Sequence, residues 1–299
     1  MESTLSLPGT RQKTLARAVA CEGIGVHAGR TARMTLNPAE PDTGIVFVRT
    51  DLVNGARVIP ARWDHVVDTR LCTVLGNGHG GLVATVEHLM AALHAAGVDN
   101  ARVELDGPEV PVMDGSAEAF STLIDEVGLV DQTTPRRVLR VLKTVRVGEG
   151  TRVAELVPSP TPLWTLEIAF PKTPVIGTQR LESLALTPAL FRHEVGRART
   201  FGFWEEVDQL RQKGLALGGS LDNAIVIKDG AVMNEGGLRY KDEFVRHKLL
   251  DAVGDMALAG ATVLGHFRGN GSGHALNNQL LRTLFSDPAA WRLEQAEGR

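Results

Sequence analysis

Apolar residues recur at the spacing of one helix face in two segments, residues 86–97 and residues 245–260. A glycine follows the last periodic position in each segment, at Gly97 and Gly260, where a helix commonly ends. The second predicted helix is one turn longer than the first. The apolar positions are Val86, Leu89, Met90 and Leu93 in the first segment and Val245, Leu249, Val253 and Met256 in the second.

The same order of elements surrounds both predicted helices. Each half begins with a hairpin-like strand that ends in Leu-x-Pro, and each helix is followed by a strand-like run and a second helical pattern. We interpret this repetition as an internal duplication; a chance similarity between short helical patterns is the alternative. The matching segments are 29–40 and 150–160, 101–105 and 261–267, and 114–128 and 272–285.

Strands that precede helices in each half are typical of an α+β protein. We predict two duplicated domains, each a mainly antiparallel sheet packed against two helices, with the functional site between the helix layers. The polar segment 129–137 contains Pro135 and precedes a strand-like run over 138–148. We interpret it as a break in the chain and place the domains at 1–132 and 133–299.

Composition and charge exclude several classes of protein. A net charge of −3 and a pI near 6.3 give no overall basic field for nucleic acid or an anionic membrane surface. Two cysteines make no disulfide framework, and residues 1–14 lack the apolar centre of a signal peptide. No stretch approaches the roughly 18 apolar residues of a spanning helix. We expect a cytoplasmic protein without a transmembrane segment and, with no visible signature of dimerisation, a monomer.

His247 and Asp251 are four residues apart in the second predicted helix, so they lie one above the other on one face. An imidazole nitrogen and a carboxylate oxygen placed in this way suit a divalent cation; an exposed helix pair is the alternative. Catalytic zinc usually takes three protein ligands and leaves a fourth position for water. We predict His88 as the third ligand, because it occupies the equivalent place in the first helix.

Two further positions suit proton transfer. Glu87 precedes His88, and an acid beside a zinc-binding histidine can take a proton from water at the metal. His274 follows a glycine-rich approach and opens the last long helical pattern, which suits a general acid; a helix-start residue facing solvent is the alternative. Asp255, one turn beyond Asp251, could orient the His274 imidazole and favour its protonated form.

Lys248 could supply a local positive charge for a phosphate or a developing oxyanion. A solvated surface lysine is the alternative. The other histidines have no comparable spacing, and we interpret them as surface or core residues: His27, His65, His79, His94, His193 and His266.

Nine motifs follow one another along nearly the whole chain: GIGVHAGR, DTRLCT, TVEHLMAAL, DNARVEL, PEVPVMDGSA, RARTFGF, LALGGSLDNAIV, DEFVRHKLLDAVGD and SGHALNNQLLRTL. They are far more specific than a ligand pattern of three residues. Through them the chain resembles the zinc-dependent UDP-3-O-acyl-N-acetylglucosamine deacetylases. Enzymes of that family commit a sugar nucleotide to lipid A synthesis in Gram-negative bacteria.

The resemblance implies that Thr200 helps to stabilise an oxyanion, that Lys248 meets the phosphate of the nucleotide and that Phe201 lies along the substrate cleft. It also implies the roles inferred above from spacing. These are zinc ligands His88, His247 and Asp251, general base Glu87, and general acid His274 with Asp255 behind it.

An insert in the second half, about 200–224, resembles the family's hydrophobic passage for the 3-O-acyl chain. By composition alone its apolar helical stripe would be interpreted as core packing. The predicted contacts with the acyl chain are Val207, Leu210, Leu215 and Leu217.

Two features depart from the family pattern. Gly271 stands where relatives often have a basic residue, so one phosphate contact has no candidate here. The tail 291–299 is short and polar, so regulated degradation through an apolar end is not implied. Cys72, which lies near the metal in the family, is outside the predicted ligand set.

We therefore expect a hydrolase that binds Zn²⁺ and removes the N-acetyl group from UDP-3-O-[(3R)-3-hydroxyacyl]-N-acetylglucosamine, releasing acetate. One alternative is a non-catalytic sugar-nucleotide-binding protein whose metal is structural and filled by four protein ligands. Another is an enzyme of the same type that acts on a different acylated sugar.

Overall fold

The computed structural model describes residues 9–296. Among these residues the first half forms α1 (Glu87–Ala96), α2 (Glu118–Val127), β1 (Arg11–Leu15), β2 (Val19–Ile24), β3 (Thr31–Pro38), β4 (Ile45–Arg49), β5 (Val58–Pro60), β6 (Val66–Asp68), β7 (Val74–Gly76), β8 (Leu82–Val83), β9 (Ala101–Leu105) and β10 (Leu129–Pro135). Two single 3-10 turns span Asn54–Ala56 and Trp63–His65.

The second half has its own helices and strands. They are α3 (Pro188–Leu190), which continues into a π-helical turn (Phe191–Val195), α4 (Trp204–Gln212), α5 (Glu243–Ala257), α6 (His274–Ser286), β11 (Arg137–Val141), β12 (Val145–Glu149), β13 (Arg152–Pro158), β14 (Leu163–Phe170), β15 (Gly177–Leu184), β16 (Phe201–Phe203), β17 (Ile225–Lys228), β18 (Ala231–Val232), β19 (Thr262–Asn270) and β20 (Trp291–Gln295).

Each half builds its main sheet with the same connections. In the first half the order is β2-β3-β9-β4-β5, with β4 and β9 parallel and the other neighbours antiparallel. In the second half β12-β13-β19-β14-β15 repeats this order, with β14 and β19 parallel, and β11 and β20 extend the sheet beside β19. The predicted α+β fold with duplicated, mainly antiparallel sheets is confirmed.

Helices α1 and α5 pack directly against each other, with α2 beside α1 and α6 beside α5. The sequence pattern predicts one apolar face on each helix, but α5 buries all of its 15 residues except Arg246 and Lys248. It contacts α1 and α6 as well as strands β14, β15 and β19. The polar side chains of α5 are therefore buried as well, and each needs a partner that replaces water.

Gly254 of α5 lies at a close contact between the two helices. A Cβ atom at this position would stand 2.0 Å from the carbonyl oxygen of Glu87. We expect Gly254→Ala to push the helices apart, displace Glu87 and lower the free energy of unfolding by about 1–3 kcal/mol. Thermal or denaturant unfolding measures the change. In the control Gly236→Ala the new Cβ meets no atom within 4 Å, and an equal midpoint for both variants would contradict the prediction.

The polar segment 129–137 is not the break that we predicted. It contains β10, which runs antiparallel to β1 with Leu15 opposite Leu129 and Lys13 opposite Asp131. The strand was not recognisable in the sequence because β10, unlike β1, has no buried residue and carries no strong apolar alternation. The strand-like run 138–148 divides into β11 and β12. The domain limits 1–132 and 133–299 stay a prediction.

Candidate metal centre and active site

Three predicted ligands come together where α1 meets α5. His88 projects from α1, and His247 and Asp251 lie one turn apart on α5. The Nε2 atoms of His88 and His247 lie 3.5 Å and 3.3 Å from Oδ1 of Asp251, and one donor atom from each residue lies within 4.8 Å of the others. All three side chains are buried. The two halves of the chain therefore share one cluster of metal-ligating groups.

The donor atoms of this cluster fit a small tetrahedral cation. Ligand bonds of about 2.0–2.2 Å in tetrahedral geometry separate the ligand atoms by roughly 3.3–3.6 Å, which agrees with both distances to Asp251. Oδ1 of Asp251 is buried and has no hydrogen-bond partner among the described residues. A buried carboxylate oxygen without a partner is costly. A divalent cation at this point would satisfy it together with both imidazole nitrogens.

The protonation states of the cluster also suit a cation. Burial lowers the pKa of His247 to about 3, although the Asp251 carboxylate opposes this shift, so the imidazole is neutral. Burial alone would raise the pKa of Asp251, but the cationic Lys248 and His274 outweigh it and hold that pKa well below its usual range. A neutral imidazole and an ionised carboxylate are the forms that bind divalent metals.

The orientation of His247 depends on the segment before β16. Nδ1 of His247 lies 3.0 Å from the carbonyl oxygen of Ala198, which can only accept, so Nδ1 carries the hydrogen and Nε2 keeps its lone pair. The neighbouring Arg199 donates its backbone N–H and its Nε–H to the fully buried Glu243 carboxylate, at 3.0 Å and 2.9 Å. Glu243 also accepts the backbone N–H of Arg239. The carboxylate thus anchors the segment that orients a candidate ligand.

Glu87 begins α1 and is buried beside the metal cluster. Its Oε2 accepts the backbone N–H of Thr73 at 3.1 Å, and its Oε1 lies 3.7 Å from Nε2 of His274. Burial raises the pKa of Glu87 above the ordinary carboxyl value, although nearby histidines oppose the shift. A carboxylate with a raised pKa is better matched to accepting a proton near neutral pH.

His274 opens α6, and its Nδ1 lies 2.9 Å from Oδ2 of Asp255. Burial alone would lower the pKa of His274, but the carboxylates of Asp255 and Glu87 outweigh it and raise that pKa to about 9. The ring is therefore a cation near neutral pH and can donate a proton from Nε2. This Nε2 atom lies 3.7 Å from Oε1 of Glu87 and 4.0 Å from Oδ2 of Asp251, so the donor is close to both the predicted base and a predicted ligand.

Lys248 is not a solvated surface lysine. Its Nζ donates to Oδ2 of Asp251 at 2.8 Å and lies 5.7 Å above the ring of Phe201. Burial would lower the pKa of Lys248, but the Asp251 carboxylate outweighs this effect and raises it. Phe201 also packs edge-on against His247, with ring centroids 6.3 Å apart. The Lys248 ammonium thus lies beside the metal cluster, and Lys248 lines the adjoining cavity.

A cavity of about 430 Å³ opens from the metal cluster toward the predicted insert. Thr200 and Phe201 line it near the cluster, and Val207 and Leu210 of α4 line it farther along. Two of the predicted acyl-chain contacts, Leu215 and Leu217, do not line this cavity. Leu217 is 51% exposed and donates its backbone N–H to the carbonyl oxygen of His27. The other apolar lining residues include Phe203, Trp204, Ala216, Leu221, Ala224 and Val226.

Two residues that line this cavity received no role from the sequence, His27 and Cys72. His27, which we interpreted as a surface or core residue, lines it, and its backbone N–H is held by the buried Glu109 carboxylate at 2.9 Å. Cys72 lines it too, but burial raises the pKa of its thiol, so the neutral thiol is favoured over a metal-binding thiolate. Neither residue has a spacing that signals its place in the cavity wall. Their motifs, GIGVHAGR and DTRLCT, were the available signal.

Residues 12–286 match the family model described as UDP-3-O-acyl N-acetylglycosamine deacetylase. This match spans far more than half of the chain. The chain belongs to this family. A curated protein of Myxococcus xanthus named UDP-3-O-acyl-N-acetylglucosamine deacetylase is 48% identical over 288 residues, which is 96% of this chain and 90% of that protein.

Two further relatives carry the same name. The protein of Idiomarina loihiensis is 44% identical over 281 residues, covering 94% of this chain and 92% of the relative. The protein of Haemophilus influenzae is 44% identical over 290 residues, covering 97% and 94%. The predicted family is therefore confirmed. Among residues 9–296, every helix is too short or too polar to cross a membrane.

Proposed function

We propose that this chain is a zinc-dependent hydrolase that removes the N-acetyl group from UDP-3-O-[(3R)-3-hydroxyacyl]-N-acetylglucosamine. The products are acetate and the free 2-amino sugar nucleotide. This reaction is the committed step of lipid A biosynthesis in Gram-negative bacteria. Family membership supports the reaction. One observation carries the proposal: a candidate cation-binding triad lies beside a neighbouring carboxylate and protonated imidazole, and both line one largely apolar cavity with it. The cytoplasmic location and the monomeric state stay predictions.

His88, His247 and Asp251 would hold the zinc ion. Two imidazoles and one carboxylate form a ligand set known from hydrolytic zinc enzymes, which leave a further coordination position for solvent or substrate. When bound, the ion supplies Lewis acidity that polarises the acetamide carbonyl and makes water more acidic.

Glu87 acts as the general base in this proposal. Its Oε2 is engaged by the Thr73 N–H, whereas Oε1 accepts no hydrogen bond among the described residues and faces the site. Oε1 is therefore the oxygen that takes the proton from the attacking water. The raised pKa of Glu87 makes the carboxylate a stronger base than an exposed one.

His274 acts as the general acid. An amine is a poor leaving group until it is protonated, and the imidazolium can deliver a proton from Nε2 as the carbon–nitrogen bond breaks. Asp255 accepts from Nδ1 and so fixes the ring with Nε2 toward the site. The Thr200 hydroxyl, at the wall of the cavity, is assigned to the oxyanion that forms during attack.

Substrate contacts are assigned along the cavity. Lys248 presents its ammonium toward the nucleotide phosphates, and Phe201 forms the adjacent cleft wall. Val207 and Leu210 give the acyl chain an apolar wall on α4. Leu215 and Leu217 lie outside that wall, and their contact with the acyl chain of the substrate stays a prediction.

The alternative of a structural metal in a non-catalytic protein is less well supported. Structural zinc is normally enclosed by four protein ligands. Within residues 9–296, the ligand cluster consists of three residues, and the Cys72 thiol is not part of it. An open position beside a base and an acid is the arrangement of a hydrolytic site.

A comparison of two substrates tests the proposed function. We expect the zinc-loaded protein to hydrolyse the 3-O-acylated compound with a kcat/KM higher than that for UDP-N-acetylglucosamine. Each buried CH₂ contributes about 0.8 kcal/mol, so four buried methylenes suffice for a preference on the order of 100-fold. Acetate release measures both reactions. Zinc-loaded protein that binds the acylated nucleotide without releasing acetate would support the non-catalytic alternative.

A charge in the apolar wall tests where the acyl chain binds. We expect Leu210→Glu to reduce the preference for the acylated compound, because a carboxylate in the wall loses water when the chain enters. Leu142→Glu is the matched control, since Leu142 is 42% exposed and lies away from the cavity lining. An unchanged substrate preference in Leu210→Glu would show that the acyl chain does not bind against Leu210.

A further inference from the structure

Thr73 lies between the two carboxylates that serve proton transfer. It immediately precedes β7 and is 2% exposed. Its hydroxyl donates to Oδ1 of Asp255 at 2.6 Å, and its backbone N–H donates to Oε2 of Glu87 at 3.1 Å. One residue of the first half therefore contacts both the carboxylate behind the acid and the carboxylate that acts as the base.

The hydroxyl of Thr73 completes the hydrogen bonds of Asp255. Oδ2 of that carboxylate accepts from Nδ1 of His274 and from Nδ2 of Asn277, each at 2.9 Å. Oδ1 accepts from the Thr73 hydroxyl, its hydrogen-bond donor among the described residues. A carboxylate held at both oxygens cannot rotate about its Cβ–Cγ bond without losing a buried hydrogen bond. Thr73 therefore fixes the plane in which Asp255 meets His274.

The backbone N–H of Thr73 has the complementary effect on Glu87. Because it occupies Oε2, the remaining oxygen Oε1 faces Nε2 of His274 across 3.7 Å. The base and the acid thus present free atoms to the same small volume. Their relative placement depends on a residue outside both α1 and α5.

We propose that Thr73 is a positioning residue that sets the general base and the general acid of the reaction relative to each other. The inference rests on the proposed function for its kinetic readout. Thr73 acts through Asp255 and Glu87; among the described residues it is not part of the cavity lining and makes no hydrogen bond to His88, His247 or Asp251.

A purely structural tie between the halves is the competing interpretation. The Thr73–Asp255 hydrogen bond does join the two halves of the chain. Asn278 makes a comparable tie, because its Nδ2 donates to the carbonyl oxygen of Trp63 at 2.9 Å without contacting the acid or the base. The variant Asn278→Ala loses this tie and also the hydrogen bond that Asn278 Oδ1 accepts from Arg282 Nε at 2.7 Å. It is therefore a stringent control for the loss of a structural tie.

The test compares Thr73→Val, Thr73→Ser and Asn278→Ala. Valine keeps the shape and the backbone N–H of Thr73 and removes only the hydroxyl donor. We expect Thr73→Val to lower kcat by a factor on the order of 10 to 100, the usual cost of losing a partner that orients a site group, with KM and zinc content unchanged. Thr73→Ser retains the donor and should keep most of the turnover. Asn278→Ala should lower the unfolding midpoint but not kcat.

A double variant shows whether Thr73 works through Asp255. In an Asp255→Ala background the hydroxyl has lost its acceptor, so adding Thr73→Val should cost little further turnover. Additive losses in the double variant would overturn the proposal. A normal kcat in Thr73→Val would also overturn it. The same holds if Thr73→Val loses zinc together with turnover, or if Thr73→Ser loses as much turnover as Thr73→Val. If Thr73→Val does not fold, Thr73→Ala removes the same donor.

A spectroscopic readout separates this inference from the proposed function. The proton of His274 Nδ1–H in its hydrogen bond to Asp255 gives a downfield nuclear magnetic resonance signal that can be assigned by its loss in His274→Ala. We expect that signal to shift or broaden in Thr73→Val and to be retained in Thr73→Ser and Asn278→Ala. An unchanged signal in Thr73→Val would overturn the positioning role. Absence of acetate release by the wild-type protein would instead count against the proposed function.

Discussion

Replacing Glu87 or His274 with alanine lowers turnover by a factor on the order of 10² to 10⁴, the usual contribution of a positioned proton-transfer group, and leaves zinc bound. Neither side chain belongs to the cluster of His88, His247 and Asp251, so the three ligand atoms remain in place. Without Glu87 no carboxylate oxygen takes the proton from water. Without His274 the amine leaves unprotonated.

Kinetics and metal analysis on the same purified samples check this result. Acetate release gives kcat, and the zinc content per chain shows whether the cluster is intact. His247→Ala is the informative comparison, since it removes a ligand and should lose zinc together with activity. Near-normal turnover in Glu87→Ala with full zinc content would remove that residue from the mechanism.

Replacing Glu243 with alanine should be among the most destabilising single changes in the chain. The Glu243 carboxylate is fully buried and pairs with Arg199, whose side chain is also largely buried. Breaking such a pair by removing one partner typically costs about 3–5 kcal/mol, because the remaining charge is left buried without a partner. The segment that contains Ala198 would also lose its anchor, so His247 would lose the acceptor that orients it.

Unfolding by denaturant and zinc affinity measured by competition with a chelator test both consequences. We expect a much lower midpoint and a zinc affinity weakened on the order of 10- to 100-fold, as for other losses of a partner behind a metal ligand. The control is Glu22→Ala, which removes an Arg–Glu pair of similar length, 2.6 Å to Arg33, whose members are both exposed. That pair is screened by water, so its loss should change the midpoint little. Similar midpoints for the two variants would refute the argument from burial.

The duplicated fold could be predicted from the sequence because its signals are local. His247 and Asp251 share one face of α5 however that helix packs in the protein, because residues four apart on a helix are always neighbours. The two Leu-x-Pro strands and the two helices were similarly recognisable from their own residues. The segment around Gln132 was not, because an exposed polar strand resembles a loop in sequence.

Much of the candidate site was accessible to sequence reasoning only through the longer motifs. Val207 and Leu210 line the cavity, whereas Leu215 and Leu217, equally apolar and only a few residues away, do not. Composition cannot separate these pairs, because the direction of each side chain depends on how α4 and the following loop pack. His27 shows the opposite failure, since it lines the cavity without any periodic signal.

By itself, then, the sequence determined the family, the duplicated α+β order and the ligand pair within α5, all of which depend on neighbours along the chain. Tertiary structure brought the predicted ligand His88 to Asp251 across the two halves. It alone decided that Glu243 anchors the segment behind His247 and that Thr73 meets Asp255. These contacts join residues far apart in the chain. They form because burial around α5 leaves each polar group to find a partner other than water. At the contact between α1 and α5 that burial depends on Gly254, where a Cβ atom would meet the Glu87 backbone.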